Sequence, residues 1–343
     1  MRRKMNHKWT VMMTGLSATV LLISCSRDNG KVLPKTAVEP AVAYRAYLLD
    51  IRSRTDFSTQ ELASELCRWQ ALDDSVVLHL KRDTPSVLSN MRDECDLLHD
   101  SVRTEFCRLA LAQPRTYSDI LYLKECLSPY FDDEELLLSA KEIQPFFENI
   151  SYQPAGSGSR EQTLRTYRSM LKRTLGRGIH GTDDLMLFIR QEDAAFRAFL
   201  THLHELGQTD VSDITRDTGR CCMEIFQAAG REEISYKEAV IYLAMRTNRR
   251  LLLNVQQCAA DIRAGRIRTE EQARAYVWML LQPYASLDAF GIALLMPQER
   301  KELNRIAAET PGLLSRLGSA ASLNFEQPDR IPALLIQAYI ATL

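Results

Sequence analysis

Between residues 41 and 342, apolar side chains recur every third or fourth residue, and no run of five to eight residues alternates apolar with polar. This period constrains the fold most, because it puts apolar groups on one side of a helix and leaves strands without their main signal. In the segment 235–264, residues 239–245 (AVIYLAM) are apolar on all sides, as a buried central helix requires. Ala41–Arg54 carries Tyr44, Tyr47, Leu48 and Ile51 on one side. Ser58-Thr59-Gln60-Glu61 reads as a capping box that opens a second helix. Thr84-Pro85 opens a long third one, reaching about Ala112, since proline suits a first helical turn. Further helices are expected near 118–127, 132–142, 143–149, 160–175, 183–206, 211–229, 269–281, 286–295, 298–308 and 332–342. The two stretches beginning Thr59-Gln60-Glu61 and Thr269-Glu270-Glu271 look alike only as helix starts, and no 30–45-residue repeat emerges. The expected fold is mostly α, an irregular multi-helix bundle or helical stack.

Pro, Gly and Ser in SYQPAGSGS, residues 151–159, mark a linker. Two lobes follow from it, 40–150 and 159–343, with the apolar terminal segment IPALLIQAYIATL docking into the second. Residues 31–150 carry a net charge of −7 and residues 151–343 of +2. That asymmetry orients lobes or partners and is no nucleic-acid signature.

The first thirty residues have a different character. Arg2, Arg3, Lys4 and Lys8 precede an apolar run of 13 residues, Val11 to Ile23, interrupted only by small residues. The run is too short to span about 30 Å of hydrocarbon and fits the core of a secretory signal peptide. Its ending, Leu22-Ile23-Ser24-Cys25, resembles the lipobox of bacterial lipoproteins. The resemblance covers only this leader. It implies removal of residues 1–24, acylation of Cys25 and a tether over 25–39. It also implies anchoring by acyl chains, each buried methylene contributing about 0.8 kcal/mol. Ser26 stands where inner-membrane lipoproteins often carry Asp, which favours the outer membrane of a diderm bacterium. Ser26-Arg27-Asp28-Asn29 loosely resembles the surface-export tag of Bacteroidetes lipoproteins, so periplasm-facing and cell-surface placement both stay open.

With Cys25 acylated, seven of the eight cysteines remain, an odd number and not an obvious disulfide framework. Cys95 belongs to the stripe Leu88, Met91, Cys95, Leu98, Val102, which reads as core packing with mostly free thiols.

Chemical motifs fail on context. GRGIHG, 176–181, matches G-x-G-x-x-G but follows a helix instead of a strand, so its glycines end that helix and Thr182 caps the next. Ser169-Met170-Leu171-Lys172 matches S-x-x-K, and Ser322-Leu323-Asn324 an S-x-N, without K-T-G or strands. Asp184 and His204 sit about 30 Å apart at the ends of one expected helix, and His202 and His204 point about 200° apart on it. Asp96, His99 and Asp100 share a helical face and form the densest metal-ligand candidate, for Zn²⁺ or another divalent ion. Arg103 on the same face opposes it. Glu192 interrupts the stripe Leu185, Phe188, Ile189, Phe196, Phe199, Leu203; partial burial there would raise its pKa as in functional acids, whereas the commoner outcome is a side chain that snorkels from the stripe's edge or pairs with an arginine. No catalytic residue is assigned.

Three basic clusters remain: Arg165, Arg168 and Lys172 with Arg160, Arg173 and Arg177; Arg246, Arg249 and Arg250; and Arg263, Arg266 and Arg268. Anionic lipid headgroups, acidic glycans or the acidic first lobe are the partners they suit, an envelope protein is a further expected partner, and an exported chain meets no nucleic acid. The expected function is therefore a non-enzymatic interaction or accessory module of the cell envelope, with no cofactor beyond the lipid on Cys25. The alternative is an envelope hydrolase with a carboxylate- or metal-based site built from separate helices, at Glu192 or the Asp96/His99/Asp100 face.

Overall fold

The computed structural model describes residues 40–80, 85–128, 140–144, 158–321 and 328–343. Residues 1–39, with the leader, Cys25 and the tether, lie outside it, as do most of the segments expected as helices at 132–142 and 143–149. The fold is mostly α, and no strand occurs among the described residues. The helices are α1 Pro40–Arg52, α2 Thr59–Leu80, α3 Pro85–Leu111, α4 Tyr117–Leu127, α5 Arg160–Arg177, α6 Thr182–Thr201, α7 Gln208–Gly230, α8 Tyr236–Arg263, α9 Glu270–Ser286, α10 Ala289–Ala293, α11 Pro297–Ala321 and α12 Ile331–Ile340.

Local chemistry sets many of the starts. In the expected Ser58–Glu61 box, Glu61 N donates to Ser58 Oγ (3.2 Å) and Ser58 N to Glu61 Oε2 (2.8 Å). Capping boxes at Thr116/Asp119 and Ser235/Glu238 open α4 and α8. Two ends differ from expectation. Pro311 sits inside α11, which runs to Ala321 instead of stopping near 308. Ala307, Leu313, Leu314 and Leu317 are all buried there, and that burial outweighs the lost hydrogen bond. Thr310 Oγ1 also donates to Ile306 O (2.8 Å) within the same turn. The helix expected over 183–206 stops at Thr201, and a 3₁₀ turn, Leu203–Glu205, follows.

The described chain forms two compact units, and the division is not a single cut at 151–159. Among the described residues, the first takes in 40–128, Leu281–Ala293 and Arg300–Leu343. The second takes in Asp133–Leu280 and Leu294–Glu299. The terminal helix α12 packs on α3 and α4 of the first unit, not on the C-terminal lobe expected from the sequence. Its apolar residues, including Ala333, Ile336 and Ile340, close that unit's core.

In the first unit α1 lies along α3, and α2 packs against α3 and α4. Tyr44, Ile51, Leu62, Leu66, Trp69, Phe106, Leu109 and Ile120 are buried between them. The Trp69 and Phe106 ring centroids are 5.5 Å apart. Each such side chain contributes about 1.5–3 kcal/mol on burial. Arg115 enters this unit without a carboxylate partner. It donates instead to Phe57 O (2.6 Å), Thr59 Oγ1 (3.0 Å) and the carbonyls that end α3. Lys124 of α4 is wholly buried and donates to Tyr284 O (2.6 Å) and to Leu287 O, the carbonyls that end α9. A cation at a helix C-terminus is favoured by the helix dipole.

In the second unit α5 packs on α6 and α7, and α8 packs on the same two helices. As its apolar centre predicts, α8 buries Ala239, Ile241, Tyr242 and Met245. It also buries Arg246, Asn248 and Arg249, which that pattern does not predict.

Candidate functional site

The helix α3 presents Asp96, His99 and Asp100 on neighbouring positions, but only His99 Nδ1 and Asp100 Oδ1 approach each other, at 3.9 Å, and the three do not converge on one ion. His99 turns inward, its ring 4.8 Å from the Trp69 ring and edge-on to Tyr44 (6.4 Å). Its Nε2 lies 3.8 Å from Asp73 Oδ1. Asp100 pairs with Arg103 (2.7 Å), and Asp96 is exposed. Among the described residues no three His, Cys, Asp or Glu side chains are placed to hold a metal ion. The expected Asp96/His99/Asp100 ligand set is thus replaced by a cluster of Tyr44, Trp69, Asp73 and His99 from three helices. The Tyr44 hydroxyl donates to Asp73, and burial, then that carboxylate, pushes the phenol above its usual pKa. The buried Trp69 Nε1–H has no hydrogen-bond partner. Tyr44, Trp69 and Asp73 were missed because they lie 26 to 55 residues before His99 and carry no local motif.

Glu192 is buried and pairs with arginine, the second of the outcomes its stripe allows, instead of carrying a raised pKa. Arg246 and Arg250 both donate to it, and Tyr167 Oη lies 3.4 Å away. Burial alone would raise this carboxyl, yet the two guanidinium groups outweigh it and hold the pKa below the ordinary range. Glu192 therefore lacks the raised pKa that a general acid uses. Next to it Asp193 accepts from Arg249 (3.1 Å) and Arg197 (3.2 Å), and Arg249 reaches Glu299 (3.1 Å). Here burial prevails, and Asp193 and Glu299 both titrate above the ordinary carboxyl range. Arg246, Arg249 and Arg250, read from sequence as a partner surface, are therefore largely spent inside the second unit. Their acids come from α6 and α11, which only the tertiary fold brings to α8.

The other basic clusters divide. Arg160 pairs with Asp210, Arg168 with Asp210 (3.2 Å) and Asp213 (3.6 Å), and Arg266 with the fully buried Asp261 (2.9 Å). Arg165, Lys172, Arg173 and Arg177 stay exposed on α5 without an ion pair to any described residue. Ser169 and Lys172 of the S-x-x-K match are both exposed on that helix, and Ser322 and Asn324 lie outside the described residues.

GRGIHG forms an ion-paired corner. Gly178, at φ 76°, ends α5. Gly181, not Thr182, is the N-cap of α6, and Thr182 donates instead to Glu238 (3.1 Å). The His180 ring lies 3.0 Å from Glu233 Oε1 and 2.7 Å from Arg177 O. These two acceptors raise its pKa above the free value, Glu233 most. After the break at Thr201, His202 Nδ1 and His204 Nε2 each lie 3.3 Å from a Glu205 carboxylate oxygen. His204 Nδ1 lies 4.0 Å from Asp261, which already accepts from Tyr276 (2.7 Å) and Gln257 (2.9 Å).

No family model matches the chain, and neither the curated proteins nor the solved structures include a significant match to it.

Proposed function

We infer that this chain is a lipid-anchored accessory module of a diderm cell envelope, held to the outer membrane through Cys25 and acting by docking a partner. One observation supports docking over catalysis. The densest charged network, Glu192/Arg246/Arg250 with Asp193/Arg249/Glu299, is buried and neutralises itself, while Arg165, Lys172, Arg173 and Arg177 face solvent unpaired on α5. The partner face is thus a cationic helix surface suited to an acidic protein, with anionic lipid and glycan as the other anionic classes. Anchor and docking are tested separately. Cys25→Ser is expected to abolish acyl labelling and to release the protein from the membrane fraction. Crosslinking of the lipidated protein in its native envelope, followed by mass spectrometry, is expected to return a stoichiometric partner. Charge reversal of Arg165, Lys172 and Arg173 to Glu should lose that partner. An unchanged partner profile after reversal refutes the docking face.

The hydrolase reading keeps one supporting observation, the half-buried imidazole of His99 beside the Asp73 carboxylate. It requires that Asp73→Asn and His99→Gln abolish turnover of an envelope substrate while leaving the helical spectrum intact.

A further inference from the structure

None of the seven cysteines from Cys67 to Cys258 is in a disulfide. Four of them, Cys95, Cys221, Cys222 and Cys258, are buried. Burial pushes the Cys221 thiol up to about 12 and Cys258 higher still, which makes both poor nucleophiles. Cys221 and Cys222 are neighbours on one helix, where a mutual bond is strained. Cys107 is half-buried and donates to Gln337 O of α12 (3.7 Å). Cys67 and Cys126 are partly exposed, as Cys107 is, and they sit on the packed helices α2 and α4. The Cys67 sulfur lies 3.4 Å from the carbonyl oxygen of Cys126, so one side chain already touches the backbone of the other. Tyr122, one turn earlier on α4, is itself exposed.

We propose that Cys67 and Cys126 are an oxidisable thiol pair, the site at which a small-molecule or protein disulfide crosslinks α2 to α4. The Cys126 thiolate attacks one sulfur of the external disulfide, forming a mixed disulfide and expelling one thiolate. The Cys67 thiolate then attacks the Cys126 sulfur, forming the Cys67–Cys126 bond and expelling the second thiolate. The two protons lost by the protein thiols go to the two thiolates released. The protein pair is oxidised by two electrons, and the external disulfide is reduced to two thiols. The bond closes a loop of 59 residues within the first unit. Loops of that size are expected to shift the thermal midpoint up by about 10 °C, largely by restricting the unfolded chain. An oxidising compartment, where such bonds persist, rests on the lipoprotein reading; the pairing chemistry does not.

The test uses the purified full chain and oxidised glutathione. The thiol titre under denaturing conditions should fall by two. Trypsin should release residues 55–68 joined to residues 125–141. Cys67→Ser and Cys126→Ser should each abolish that linked peptide, and each single variant should instead accumulate a glutathione adduct at the surviving cysteine. An unchanged titre, or a bond between any other pair, overturns the proposal. The compartment is read separately by acid-quenching native cells and alkylating. A native protein found reduced there, with the pair still closing in vitro, counts against the envelope setting and leaves the pair intact.

Discussion

Replacing Lys124 with methionine tests whether its ammonium is as poorly solvated as its surroundings imply. Its Nζ meets two backbone carbonyls and lies 4.9 Å from the Tyr339 ring centroid, and among the described residues no carboxylate is within hydrogen-bond distance. Burial dominates, Asp288 opposes it weakly, and the pKa falls from 10.5 to about 7. Between those values the unfolded chain binds the proton more tightly than the folded one. Stability therefore rises with pH through this window. The full difference is roughly 4–5 kcal/mol, of which about 2 kcal/mol accrues between pH 7 and 9. Methionine has no proton to bind, so wild type should gain on Lys124→Met by about 2 kcal/mol over that interval, whatever their order at pH 7. Tyrosines and the other titrating groups are common to both chains and cancel in the difference. The assay is urea unfolding at pH 7, 8 and 9 of residues 26–343 carrying Trp278→Phe, which leaves the signal to the buried Trp69 of the same unit. A wild-type minus variant difference that is flat with pH refutes the reasoning. It would mean that the carbonyls of Tyr284 and Leu287 solvate the ammonium as well as water does.

The remaining predictions concern the second unit. Glu192→Ala leaves Arg246 and Arg250 without their carboxylate and should cost about 3–5 kcal/mol in chemical denaturation, whereas Glu192→Met with Arg246→Met should cost less than the sum of the single changes. Glu232 adopts φ 61° in the turn after α7, with Glu233 N bonded to Ala228 O (3.0 Å), so Glu232→Gly should stabilise by about 1 kcal/mol in the same assay. The His180 ring should titrate above 6.5 by NMR, and Glu233→Gln should lower its midpoint. Because that pKa is raised on folding, its stabilising contribution is full below 6.5 and is lost as pH rises through the folded value.

The sequence by itself determined the helical class, most helix starts and the buried centre of α8, because these depend on residues within a turn or two of one another. Ser58 caps through Glu61, and AVIYLAM is apolar on every side, whatever surrounds them. It also placed Glu192 within an apolar stripe, where pairing with an arginine is a common outcome. Which arginines answer it was not legible, because Arg246 and Arg250 lie 54 and 58 residues away. The same distance effect turned Arg246, Arg249 and Arg250 from an expected surface into a buried network, and His99 from an expected metal ligand into the neighbour of Trp69 and Asp73. Tertiary structure alone decided where the last helix docks. The apolar residues of IPALLIQAYIATL require burial but do not specify against what, and packing on α3 and α4 provides it. It also decided that α11 continues through Pro311, where apolar burial on both sides of the proline outweighs a missing backbone hydrogen bond.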